Sequence, residues 1–110
     1  MPEAKGTKYD MGKTRVELLD AEWLESVGQV LTFGATKYAE DNWRGGITYR
    51  RVIGALLRHT FAIMRGEDND PESGLPHISH ASCCAMFLYW MMKHRTDLDD
   101  RWKPNETPTN

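Results

Sequence analysis

The stretch that most constrains the fold is residues 78–92, ISHASCCAMFLYWMM, in which nearly every residue is apolar or small. It follows Pro76, which sits where a helix tolerates proline, because the missing N–H would be unpaired in the first turn anyway. A helix that is apolar on all sides is buried on all sides. A chain of 110 residues builds one modest core and cannot easily cover such a helix alone. The stretch therefore predicts a central helix, together with a subunit interface that covers what one chain leaves bare.

Two other segments carry the helical period. Asp20 is a good N-cap, with Glu22 in the first turn to suit the helix dipole. From there Trp23, Leu24, Val27, Val30, Leu31 and Gly34 recur at helical spacing, predicting a helix to about Tyr38. Gly28 and Gly34 weaken it intrinsically, so each predicts close approach of another backbone. Thr48 caps a second helix, to about Arg65, whose apolar face is Ile53, Leu56, Leu57, Thr60, Ile63 and Met64. No repeat and no strand-period segment is present, so the class is all-α: one domain over 1–110, with an extended arm at 1–12 and a polar tail at 96–110 that begins as a short helix and frays.

Composition excludes several functions. A net charge of −2 provides no basic field, so no nucleic acid polymer is expected as partner. No apolar run reaches the roughly 18 residues that span a bilayer, and the first residues lack a signal-peptide apolar region. Cys83 and Cys84 are adjacent within an apolar run, which reads as buried thiols rather than a disulfide or a zinc pair. A cytoplasmic location follows from that reading.

The chemistry concentrates in residues 58–80, RHTFAIMRGEDNDPESGLPHISH. Glu67, Asp68, Asp70 and Glu72 lie in a loop marked by Gly66, Asn69, Pro71, Ser73 and Gly74, and His59, His77 and His80 bracket it. His77 and His80 are three apart and share a helix face. The segment reads either as a divalent-metal site or as a solvated acidic turn. It is not an EF-hand: the Gly falls one place late, at Gly74, and Ser79 stands where the bidentate Glu belongs. Gly12-Lys13-Thr14 is not a P-loop, because Thr7 stands where that motif needs Gly. Hard acidic ligands, imidazoles and several cations together suit Mg²⁺ or Mn²⁺ with a polyphosphate. Lys13 and Arg15 can reach an anion or belong to a solvated arm; Arg51 and Arg58, two helical turns apart, can hold phosphates or face solvent. Lys37, Tyr38, Asn42, Trp43 and Arg44 can stack on a base and pair with phosphates, or close a helix end with Trp43 as a core plug.

These motifs together resemble one family. KYDMGKTR at 8–15 with Leu18 and Leu19, FGATKY at 33–38, Asn42-Trp43, Arg58-His59 and, most densely, GEDNDPESGLPHISHA at 66–81 are similar to the phage dATP/dGTP diphosphohydrolase N-terminal-domain family, within the MazG/HisE-like all-α nucleotide pyrophosphohydrolases. The resemblance covers residues 8 to about 92. It implies a MazG-like helical bundle assembled as a homodimer or homotetramer. It also implies hydrolysis of dGTP or dATP to the monophosphate and pyrophosphate in phage nucleotide metabolism, in the host cytoplasm. That superfamily carries its metal ligands as E-x-x-E and E-x-x-D on successive helices. Here those patterns fall at Glu22/Glu25, before the matching helix, and at Glu67/Asp70, in a loop, while His77-x-x-His80 occupies the third helix. The expected site has Mg²⁺ or Mn²⁺ held by some of Glu67, Asp70, Glu72, His77 and His80, with His59 or a spare carboxylate, Glu67 included, as base. Phosphates are expected on Lys13, Arg15, Arg51 and Arg58, and base and sugar against Tyr38, Asn42 and Trp43, with Lys37 also among the substrate-binding residues. The alternative is a non-enzymatic helical phage protein that binds a nucleotide or a partner and carries a structural metal.

Overall fold

The computed structural model describes residues 11–105. Three helices, α1 (Ala21–Lys37), α2 (Tyr49–Met64) and α3 (His77–His94), are joined and flanked by 3₁₀ turns at Val16–Leu18, Asn42–Gly45 and Thr96–Leu98. Among the described residues there is no strand, only an isolated antiparallel bridge between Asn69 and Pro76. The protein is all-helical, as the periodicity predicts. Most of the expected extended arm and the end of the expected polar tail lie outside the described residues.

α3 is the shared element: α2 packs on it most extensively, and α1 packs on it as well. Its flank toward α2 supplies Cys84 and Met91, which close with Tyr49 and Val52 into the core; Ile53, Leu56, Phe87 and Leu88 pack around them. The Tyr49 hydroxyl donates to the Met91 carbonyl at 3.0 Å, so the one polar atom brought into this core is paired. The flank toward α1 is small and polar. Ser79 donates to Ser26 at 2.7 Å, the Trp23 indole N–H donates to Ser82 at 3.1 Å, and the Cys83 thiol lies 3.5 Å from the Val27 carbonyl. Cys83 and Cys84 are free and buried, as read from the sequence, and burial pushes the Cys83 thiol up to about 12.

As expected for a chain of this length, α3 is not covered all round: Ile78, Tyr89 and Met92 are exposed, because two neighbouring helices cover only part of its circumference. Four local expectations are corrected. On α2 the buried positions are Tyr49, Val52 and Ala62, while Leu57, Thr60 and Met64 face outward; the contact face is rotated toward Val52. A Cβ added at Gly28 or Gly34 would meet nothing within 4 Å, so neither glycine marks a close backbone approach. Thr48 precedes α2 without a side-chain cap bond, and the Asp100 carboxylate accepts instead from the Arg50 N–H at 2.9 Å. Residues 96–101 are accordingly docked rather than frayed: Leu98 packs on the core, Asp100 ties back to Arg50 and the Arg101 guanidinium lies over the Tyr49 ring. Asp20 does cap α1, accepting from the Trp23 N–H at 2.8 Å.

Tyr49→Phe tests the core hydrogen bond. The Met91 carbonyl keeps its bond from the Arg95 N–H, so the variant leaves no orphaned acceptor. The expected loss in a chemical melt is about 0.5–1.5 kcal/mol.

Candidate active site

The site is built by the way α2 stops. The Gly66 N–H bonds the Ile63 carbonyl and the Glu67 N–H bonds the Ala62 carbonyl, both at 2.9 Å, with Gly66 at φ 91°. This is a Schellman ending, which needs a residue in the left-handed region and is served by glycine. The chain then closes on itself. The Asp70 N–H bonds the Leu75 carbonyl at 2.8 Å, the Gly74 N–H bonds the Asp70 carbonyl at 2.7 Å, and the His77 N–H bonds the Asp68 carbonyl at 2.9 Å. The Asp70 side chain accepts from the Glu72 N–H at 3.1 Å, an Asx turn. The acidic segment is therefore an ordered turn that delivers its side chains at fixed positions beside α2 and α3.

Three histidines meet there. His59 and His77 share a hydrogen bond between their Nδ1 atoms at 2.8 Å, and His77 Nε2 is 2.7 Å from a Glu67 carboxylate oxygen. His77 is buried, while Glu67 is half-exposed. The His59 and His80 rings stack with centroids 4.7 Å apart and 10° between planes. His80 Nε2 lies 2.7 Å from the Ser73 hydroxyl and 3.4 Å from Asp70 Oδ2. Burial, with His80 and His77 as neighbours, pushes the His59 imidazole below its usual value; burial also lowers His80, partly opposed by Asp70. Neutral rings are favoured because packed imidazolium ions repel and lose solvent.

An open cleft of about 1420 Å³ runs alongside. His59, His80, Asp70 and Glu72 line it, and so do Arg51, Arg58 and Lys37. Tyr38, Asn42 and Trp43 complete the sequence-derived residues on its walls. Lys37 pairs with Glu72, tying the end of α1 to the turn, and Glu72 holds the ammonium in its charged form. Trp43 lies stacked on Phe87 at 4.5 Å and edge-on to Trp90 at 5.2 Å, with the Arg44 guanidinium 4.3 Å from its ring centre. It is at once a packing element and a cleft wall.

The structure does not bring every expected residue to this cleft. Lys13 and Arg15 lie outside its walls; Arg15 pairs with Glu17 on the surface. Glu67 and His77 stand behind His59 rather than in the cleft wall. The five expected metal ligands thus fall into two groups: Glu67 with His77, and Asp70, Glu72 and His80. Among the described residues no three His, Cys, Asp or Glu side chains gather as a ready metal shell. Two residues were missed. Ser73 joins His80 and also accepts from the Leu75 N–H at 3.1 Å. Gly54 lies beneath Arg58, whose Nη1 would sit 3.2 Å from an added Cβ, so the missing side chain lets the guanidinium lie along α2. The turn composition around Ser73 hinted at the first; nothing in the sequence pattern marked the second.

The fold and the cleft define a class: a small all-α protein with a cleft that carries both cations and carboxylates. The family follows from comparison. A family profile described as "dATP/dGTP diphosphohydrolase, N-terminal" matches residues 3–101, and the chain belongs to that family. It is 38% identical over 96 residues to a dATP/dGTP diphosphohydrolase of Salmonella phage PMBT28, a match that covers 87% of this chain and 33% of that protein. The chain thus spans about a third of the length of this relative. No solved structure matches.

The histidine cluster has a consequence for acid stability. Both lowered imidazoles favour the neutral form in the folded state, so their contribution is present above the unfolded value of 6.5 and is lost as pH falls through the lower folded values. The melting temperature is expected to fall as pH drops from about 7 to 5. His59→Gln should show a shallower fall over the same range, measured by calorimetry.

Proposed function

We propose that this chain hydrolyses purine deoxynucleoside triphosphates to the monophosphate and pyrophosphate, in phage nucleotide metabolism. The observation that carries the reading is a single cleft lined by Lys37, Arg51 and Arg58 together with Asp70, Glu72, His59 and His80. Membership of the family, and the name of the phage relative, support the same chemistry.

The residues divide the work by type. Arg51, Arg58 and Lys37 neutralise the triphosphate; Arg58 reaches its place across Gly54. Tyr38, Asn42 and the open edge of Trp43 take the base and sugar. His59, with its pKa lowered, is neutral near pH 7 and accepts the proton of the attacking water. The donor set of Asp70, Glu72 and His80 is oxygen with one imidazole, which fits Mg²⁺ or Mn²⁺. These three side chains do not form a ready shell as they stand, so an ion would have to draw them together; it would supply charge neutralisation at the phosphates and a more acidic water. Glu72 is paired with Lys37 in this structure; holding the ion would release that pair and leave Lys37 free for phosphate.

The assay is pyrophosphate release from each dNTP with Mg²⁺ or Mn²⁺ added. The expected outcome is release from dGTP or dATP and a loss of about 100-fold or more in Asp70→Asn. Asn keeps the acceptor for the Glu72 N–H, so the fold should be retained. Binding of nucleotide without release in the wild type would turn the reading to a non-enzymatic binding protein.

A MazG-like homo-oligomer is part of the proposal. The exposed Ile78, Tyr89 and Met92 on α3, with Trp23 and Leu24 half-open on the adjoining α1, make an apolar face that a second copy would cover. Light scattering at micromolar concentration is expected to give a dimer or tetramer. Tyr89→Arg, which changes no core contact, should shift it to monomer. A wild-type monomer would overturn the assembly.

A further inference from the structure

The mechanism above uses His59 but gives no role to the buried His77 or to Glu67 behind it. Their contacts form a chain: Glu67 carboxylate to His77 Nε2 at 2.7 Å, then His77 Nδ1 to His59 Nδ1 at 2.8 Å. A hydrogen bond between two ring nitrogens needs one N–H and one lone pair. A carboxylate offers only acceptors, so it requires the N–H of His77 to be at Nε2. In the neutral ring, His77 Nδ1 is then a lone pair. The only arrangement that satisfies both contacts with neutral rings puts the proton of His59 on Nδ1. His59 Nε2 is left as a lone-pair nitrogen. It takes no hydrogen bond among the described residues, and the ring it belongs to lines the cleft.

We infer that Glu67 and His77 are positioning residues that fix the His59 tautomer, so that Nε2 faces the cleft as a base. The role in turnover rests on the hydrolase reading; the tautomer does not. In the reaction, an O–H bond of the attacking water breaks and an N–H bond forms at His59 Nε2. The water oxygen bonds to the α-phosphorus, the bond from that phosphorus to the bridging oxygen breaks, and its electron pair leaves with pyrophosphate. The imidazolium so formed keeps its Nδ1–H on His77, whose Nε2–H remains on Glu67. The burial of His77 serves this end. Shielded from water, its ring is oriented by protein partners alone, and its Nδ1 stays aimed at His59.

The test reads the tautomer directly. Two-bond ¹H–¹⁵N correlation of the ¹⁵N-histidine-labelled full chain, without nucleotide or metal, at about pH 8, above the ordinary imidazole value of about 6.5, distinguishes protonated from lone-pair nitrogens. The wild type should show His59 protonated at Nδ1 and bare at Nε2. Glu67→Ala releases the far end of the chain from an exposed position and should mix the His59 tautomers. Glu67→Gln, whose amide oxygen still accepts from His77, should restore the single tautomer. In turnover, Glu67→Ala should lower kcat by about 10- to 100-fold with KM little changed, and Glu67→Gln should recover most of it. A wild-type His59 protonated at Nε2, or an unchanged tautomer in Glu67→Ala, overturns the assignment. The predicted tautomer in a protein that releases no pyrophosphate supports the positioning role of the pair and overturns only the hydrolase reading.

Discussion

One helix has to satisfy two neighbours at once, and the rest of the molecule depends on how α3 divides its surface. Toward α2 it offers Cys84, Phe87, Leu88 and Met91, side chains large enough to close a core around Tyr49 and Val52. Toward α1 it offers Ser79, Ser82 and Cys83, which are small and bring polar atoms that must be matched; Trp23, Ser26 and the Val27 carbonyl match them. The α2 contact is therefore mostly apolar burial, pinned by the Tyr49–Met91 and His59–His77 hydrogen bonds, whereas the α1 contact is set chiefly by hydrogen bonds that tolerate little sliding. What is left of the helix surface, Ile78, Tyr89 and Met92, stays largely open among the described residues.

The position of α3 also places the histidine cluster. Its first turn carries His77 and His80, and its start is placed by the turn that follows the Schellman ending of α2. Because that turn spends its backbone groups on itself, Asp70, Glu72 and Ser73 are presented without a flexible loop, and the cost of ordering them is met during folding. The histidines then occupy three different environments within one cluster. His77 is buried and held by ring nitrogens and carboxylate, His59 looks from that pair into the cleft, and His80 is held by Ser73 and lies near Asp70. Similar residues acquire separate roles from their surroundings.

Much of this was legible before any coordinates. The three helices, the Asp20 cap, the buried thiols and the ordered turn all follow from local chemistry, which depends on residues close in sequence. The family was legible too, because GEDNDPESGLPHISHA joins turn formers, acids and histidines in one run. The misreadings share a cause. The sequence marks Thr48 as a cap, but the acceptor comes from Asp100, far along the chain. Gly28 and Gly34 were read as contact points, yet the backbone they were expected to meet is elsewhere. The face of α2 was read from Ile53 through Met64, and the partner it meets rotated the buried set to Val52 and Ala62.

The sequence by itself determined that the chain is helical and where its helices start and stop to within a residue or two. Helical period, caps and turn formers act over a few residues, so they can be read in order along the chain. Only the tertiary structure decided which of the acids and histidines work together. His59 and His77 are eighteen positions apart, Lys37 and Glu72 thirty-five, and Ser79 lies against Ser26 across fifty-three. Spacing along the chain grouped Glu67 with Asp70 and His77 with His80. Packing of α2 against α3 regrouped them, with Glu67 and His77 behind His59, and Asp70 and His80 at the cleft, because a side chain's partners are chosen by the helix it faces rather than by its neighbours in sequence.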